Sequence, residues 1–347
     1  MAQINKPSDY FNTVLYTGNG TDNHAIAGVG FQPDWVWLKA RNQADYHYSL
    51  DAVRGVTKCI FQNDTSAEST FADSLKSFDS DGFTLGTSGD LNASSQTMAS
   101  WNWLGANSTA ANTDGNIAST VSANTTSGFS IVSYTGNGAN ATVGHGLGST
   151  PKMIIAKQYS SNGGTQHWPV FHNSLDTNKN LYLNLTNAED TPSPEIYRKG
   201  SFTNNVFAIG SHDRINNNTV SYIAYCFAEK QGYSKFGSYT GNGSTDGTFI
   251  YTGFKPAFVM VKRTDSTASW YIYDNKRDVF NAMTRNLFPD GNFVEDNNTN
   301  NNFDFLSNGF KIRTVSGARN ASGGNYIYMA FAENPLVGTN NIPATAR

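Results

Sequence analysis

The stretch Asp79-Ser80-Asp81-Gly82 has the make-up of a calcium loop, in which oxygen ligands alternate and a glycine permits the sharp turn. It lacks the glutamate that closes such a loop. The segments that align with it, Thr203-Asn204-Asn205 and Leu306-Ser307-Asn308, carry no carboxylate, so a plain turn is the better reading. Asp296 with Asn297 and Asn298 is oxygen-rich and reads as a solvated loop. Six histidines are scattered, at positions 24, 47, 145, 167, 172 and 212. His167 and His172 are nearest in sequence, but their odd spacing points them to opposite faces of a strand, and zinc needs three or four converging ligands. Asp51, Asp176 and Asp278 each stand singly, whereas glycoside hydrolysis needs two carboxylates facing across a cleft. No nucleophile elbow, P-loop or dinucleotide fingerprint occurs. The expectation is a protein with no catalytic residues, metal or cofactor, and not an enzyme.

Tryptophan offers a different chemistry, stacking on a sugar ring. Trp35, Trp37, Trp101 and Trp103 align with Met, Ile, Phe and Tyr elsewhere in the chain, replacements that keep apolarity and give up the flat ring, so they read as core. Trp168 and Trp270 lie where length varies most, in segments expected to form surface loops, and are the candidate ligand contacts.

These residues are carried by a framework that recurs. Tyr-Thr-Gly-Asn-Gly occurs at Tyr16 to Gly20, Tyr134 to Gly138 and Tyr239 to Gly243. Each copy leads to a proline (Pro33, Pro151, Pro256) and an apolar run ending in lysine (Lys39, Lys157, Lys262). The tyrosine-to-lysine interval is 23 positions each time (39 − 16, 157 − 134, 262 − 239), which implies one fold unit in triplicate. Gly18, Gly20, Gly136, Gly138, Gly241 and Gly243 are the turn glycines, available for φ > 0. The apolar runs, Trp35 to Lys39, Met153 to Lys157 and Phe258 to Lys262, have no polar alternation, so both faces of those strands should be covered. Further on, Phe83/Leu85, Phe207/Ile209 and Phe310/Ile312 alternate as half-buried strands. Aromatic strands close each unit near Trp103, Phe227 and Phe331. The expected repeat core is Trp35, Trp37, Phe83, Trp103, Ile155, Phe207, Phe227, Phe258, Phe310 and Phe331.

The predicted fold is all-β: three tandem β-sandwich, jelly-roll-like repeats of about 100 residues. They cover 10–104, 128–230 and 231–334. An Ala/Asn/Ser/Thr-rich linker spans 105–127, with one embedded strand near Ile117 to Val121, and an extended tail runs over 335–347. The long linker should leave the first unit more freedom, and the short joint Lys230 to Lys235 should pack the other two closely. A single large three-lobed sandwich is the alternative. One short helix is predicted within Ser66 to Phe78.

Composition narrows the class. Aromatics make up 13% and charged residues only 15%, against roughly 25% in ordinary domains, a pattern of polar turns between aromatic strands. The net charge of −3 provides no basic face for nucleic acid, and Lys276-Arg277 reads as solvated loop charge. Cys59 and Cys226 occupy different units at unlike positions, so free thiols are expected. No apolar run approaches the ~18 residues of a membrane span, and Met1 to Asp9 has no signal-peptide core.

The opening Ile4-Asn5-Lys6-Pro7-Ser8-Asp9-Tyr10-Phe11-Asn12, Gly30 to Trp37, Val53-Arg54-Gly55, Ser119 to Thr125, His145-Gly146-Leu147-Gly148, Phe227-Ala228-Glu229 and Phe331 to Arg347 resemble a family of virion proteins from tailed, often marine, bacteriophages. That resemblance covers nearly the whole chain. It implies a structural protein of the particle, assembled in the bacterial cytoplasm, with no catalytic residues to carry over. A tail fibre, spike or receptor-binding component is expected first. A capsid decoration protein is the alternative, and a carbohydrate-binding or glycan-depolymerising tail protein the third. Expected partners are other virion proteins, a host surface glycan or receptor, and further copies of the chain, as a trimer. Three linked units would also imitate a trimer within one chain.

Overall fold

A computed structural model describes residues 2–300 and 302–338. The chain is 43% strand and 5% helix, and all the named sheets are antiparallel, so the all-β expectation holds. Four strands recur in one order. In the first segment the opening strand Phe11–Thr17 pairs with the closing strand Thr97–Trp103, which pairs with the inner strand Trp35–Ala40, and that with the flanking strand His47–Asp51. The second segment repeats this order with Phe129–Thr135, Ser221–Phe227, Met153–Gln158 and Pro169–His172. The third uses Ser234–Thr240, Asn325–Pro335, Phe254–Arg263 and Trp270–Asp274. A smaller sheet, of His24–Ala27 with Gly82–Leu85, Ala141–Gly144 with Val206–Ile209, or Phe249–Tyr251 with Gly309–Ile312, accompanies each.

Strand alternation explains why the inner strands carry apolar residues at consecutive positions. Val36 and Leu38 face Ile26, Phe83 and Leu85 of the smaller sheet, whereas Trp35 and Trp37 face the other way. Ile154 faces Phe207 while Ile155 turns away, and Val259 faces Phe310 while Phe258 turns away. Each segment therefore keeps a private core under its smaller sheet. The second faces all join one central core, in which Trp35, Trp103, Ile155, Phe227, Phe258 and Phe331 are each no more than 1% exposed. Trp103, Phe227 and Phe331, opposite Trp35, Met153 and Phe258 in the three registers, meet pairwise at ring-centroid distances of 6.3, 5.8 and 6.0 Å. The arrangement is three-lobed around this contact. All ten expected core residues are buried.

Three expectations need correction. Residues 105–127 do not form a free linker: Ala110–Asn112 and Ser119–Asn124 extend the second segment's large sheet. Buried Asp34 of the first segment pins the crossover, accepting from the Gly105 and Asn107 N–H groups at 2.7 and 3.2 Å and from the Ser122 hydroxyl at 3.2 Å. The crossover thus ties the first segment to the second. Ser66 to Phe78 holds no helix but the strands Ser69–Thr70 and Leu75–Asp79, because Ser, Thr and Asp compete there for backbone groups and no apolar stripe of helical period is present. Pro335 ends the closing strand of the third segment instead of starting a tail, and residues 339–347 of the expected tail lie outside the described residues.

Candidate functional site

Trp168 and Trp270, the expected ligand contacts, are 0% and 1% exposed and belong to the central core. Each indole N–H crosses to the preceding segment. Trp168 Nε1 donates to the Phe61 and Asp64 carbonyls at 2.8 and 3.1 Å, and Trp270 Nε1 to the Tyr182 carbonyl at 2.9 Å. The loops that vary in length are the seams between segments, so their rings turn inward. His47 holds the corresponding place in the first segment, opposite Lys39 as Trp270 is opposite Lys262. Its Nδ1 accepts from Trp37 Nε1 at 2.9 Å, and burial holds its pKa well below the usual histidine range.

The three recurrent lysines are fully buried beside these residues. Lys157 Nζ donates to the Thr65 and Gln166 carbonyls at 2.7 and 2.5 Å, and lies 6.0 Å from the Trp168 ring centre. Lys262 Nζ donates to Thr186 O at 3.2 Å and Arg263 O at 2.7 Å, and Lys39 Nζ to Ala40 O at 2.9 Å and Gln43 O at 3.2 Å. Burial pushes their pKa values down, to about 8 for Lys39, about 7 for Lys157 and about 8 for Lys262. Two positions beyond each lysine a carbonyl receives a glutamate N–H from the neighbouring segment: Glu68 to Tyr159 O at 2.8 Å, Glu189 to Thr264 O at 2.8 Å, and Glu295 to Arg41 O at 2.8 Å. The contacts run from second to first, third to second and first to third segment, closing a ring. The glutamates escaped the reading of the sequence, although Thr65-Ser-Ala-Glu68 and Thr186-Asn-Ala-Glu189 share a pattern.

A second set of stations lies deeper. Asp51, His172 and Asp274 stand opposite Trp35, Met153 and Phe258. Asp51 Oδ2 accepts from the Tyr225 hydroxyl at 2.8 Å, His172 Nε2 lies 3.1 Å from Tyr328 O, and Asp274 Oδ2 accepts from Trp101 Nε1 at 3.1 Å. Each again joins two segments. The aspartates are also bound to buried arginines of their own segments, Arg54 at 2.6 Å and Arg277 at 2.5 Å. Arg277 is therefore not a solvated loop charge: it is 3% exposed and reaches Glu295 as well, at 3.3 Å. The third segment's counterpart of Asp51 is Asp274; Asp278 lies apart, its Oδ2 capping the Thr284 and Arg285 N–H groups of a loop.

The Tyr-Thr-Gly-Asn-Gly turns serve the same framework. A Cβ on Gly18, Gly136 or Gly241 would lie 2.2, 2.3 or 2.4 Å from a backbone carbonyl, and Gly20, Gly138 and Gly243 adopt φ of 71°, 73° and 69°. Buried Asn92, Asn216 and Asn320 accept from the N–H of the turn asparagine at 3.0, 2.8 and 2.9 Å. The Tyr16, Tyr134 and Tyr239 hydroxyls donate to the carbonyl just before that asparagine. These asparagines were legible as a fixed interval, nine positions before Trp101, Tyr225 and Met329 (101 − 92, 225 − 216, 329 − 320).

The remaining chemistry-bearing groups disperse. Asp81 accepts from the Gly28 and Gly30 N–H groups at 3.1 and 2.7 Å, and Asp79 from Ser77 and Thr84, so the aspartates of this stretch hold a turn. Asp296 forms a two-residue strand with Asn297. His167 meets Asn184 at 3.0 Å, and buried His145 and His172 have pKa values pushed down to about 4. Cys59 and Cys226 are buried free thiols. Asp176 lines an open cleft of about 470 Å³ with Glu189, which is paired to Lys179 Nζ at 3.0 Å. Among the described residues no group of three or more His, Cys, Asp or Glu side chains converges as a metal site, and no helix is long and apolar enough to cross a membrane.

Residues 6–335 match the family described as Domain of unknown function (DUF7483), and the chain belongs to that family. No curated protein and no solved structure matches it.

Proposed function

We propose that this member of the DUF7483 family is a non-catalytic structural protein of a tailed-bacteriophage particle, a tail-fibre or spike component that presents surface loops on a stiff three-part body. The resemblance of its sequence motifs supplies the particle. The observation that supports a non-catalytic role is where the reactive side chains are committed. Lys39, Lys157, Lys262, His47, His172, Asp51 and Asp274 are all buried, and most of them tie one segment to the next. A catalytic group needs access to substrate, and these buried side chains have none.

The cyclic joining of the segments favours a second reading, capsid decoration, since a body of three-fold character fits a three-fold position on a shell. Reconstruction of particles of the virus that encodes the chain tests both. Density at the tail is the expected result, and density on the head selects the second reading. Absence of the chain from purified particles overturns both. Cleavage of a bacterial polysaccharide by the purified protein, lost in Asp176→Asn, overturns the non-catalytic role.

A further inference from the structure

The outer face of the third segment's smaller sheet differs from its two counterparts. In the strand Phe249–Tyr251 the middle residue, Ile250, points into the private core, while Phe249 and Tyr251 point outward and are 43% and 58% exposed. Ile250 pairs with Phe310 as Ile26 pairs with Phe83 and Val143 with Phe207. The corresponding places are the exposed Ala25 and Ala27 in the first segment, and in the second Thr142 and Gly144, which Asn116 and Asn112 of the crossover cover. Exposed alanines satisfy the first segment there, so the fold does not itself call for exposed rings at the corresponding places of the third. Neither ring belongs to any of the four apolar cores.

Tyr251 also walls an open cleft of about 540 Å³, whose lining includes Gln231, Ser234, Lys235 and Glu229. The charges around the rings are matched. Lys235 is bound to Glu229 at 2.8 Å, and Lys311, opposite Phe249, to Asp246 at 2.5 Å. We infer that Phe249 and Tyr251 form a stacking platform for a neutral pyranose glycan, with the cleft receiving the next sugar unit. A pyranose has an apolar C–H face and a rim of hydroxyls, and the site offers ring faces beside paired donors and acceptors. Matched charges give no preference for an anionic sugar.

The assignment rests on the reading of the chain as a surface component of the particle, and it names the receptor class. Its test is independent of particle position. Purified full-length protein is screened against soluble oligomers of glucose, galactose and mannose, with affinities measured by calorimetry. Wild-type protein binds at least one of them. Phe249→Ala and Tyr251→Ala each weaken that binding about tenfold, Phe249→Trp retains it, and melting temperatures stay unchanged. No binding by wild type, or equal binding by the double alanine variant, overturns the platform. So does binding only by a chain ending at Gly338, which would make residues 339–347 the cleft's occupant, or a mass showing self-association that the double variant abolishes. Failure here with the chain found on the particle leaves the structural role standing; absence from the particle with binding intact removes only that role.

Discussion

Trp168 and Trp270 show how one side chain can be assigned to the wrong environment. An indole in a segment of variable length suggests display, yet both rings fill the central core and bond across a seam. Trp168→Ala or Trp270→Ala is expected to lower unfolding free energy by about 3–5 kcal/mol in urea titration, where an exposed ring would lose almost nothing. The lysines predict a pH dependence. Their folded pKa values lie below the unfolded 10.5, so the unfolded chain binds more protons between the two. The resulting penalty is full below pH ~7 and fades as pH rises towards 10.5, so the urea midpoint should climb from about pH 7 to 9.5. Above that, ionisation of the many buried tyrosines in the unfolded chain reverses the slope, since burial raises their folded pKa. Lys157→Met should flatten the climb, and an unchanged profile in that variant would remove Lys157 as its source.

The turn motif carries its meaning in partners distant along the chain. Tyr-Thr-Gly-Asn-Gly is visible as a repeat, but its hold on the fold comes from Asn92, Asn216 and Asn320, more than 70 residues later. Asn216→Ala leaves the Asn137 N–H and the Gly210 carbonyl without their partner, and should lower stability by about 1–3 kcal/mol with faster amide exchange in that turn. Gly136→Ala should be at least as damaging, since its Cβ would meet the Asn217 carbonyl at 2.3 Å. Inner strands were legible because continuous apolarity has one physical cause, burial of both faces. In 105–127 the embedded strand was legible and lies at Ser119–Asn124, but its place in the second segment's sheet was not, because Ala, Ser, Thr and Asn suit a strand as well as a linker, and the pairing with Phe129–Thr135 is set by a register the composition does not encode.

Across the molecule, the private cores and the central core make the three segments interdependent. A second segment excised alone would expose Phe129, Ile131, Tyr225, Phe227 and Trp168 on one face. It is expected to be insoluble or molten, and the intact chain should unfold in a single calorimetric transition with van't Hoff and calorimetric enthalpies equal. Three separated transitions would show that the lobes are stable apart. Arg277→Ala, which leaves buried Asp274 without its cation in the seam between third and first segments while Glu295 keeps Arg41 at 2.8 Å, should lower stability by about 3–5 kcal/mol.

Local chemistry sufficed for the inner strands, the turns and the recurrence of the motif, because consecutive apolarity, glycine geometry and fixed spacing are properties of neighbouring residues. What lies opposite each strand was settled by packing. The same aromatic face would fit a partner sheet, a ligand or another segment, and the closure of three faces on one another chose among them. That closure turned two tryptophans from display to interior and drew three lysines and two aspartates out of solvent. It also left Phe249 and Tyr251 outside, where small residues stand in the other two lobes.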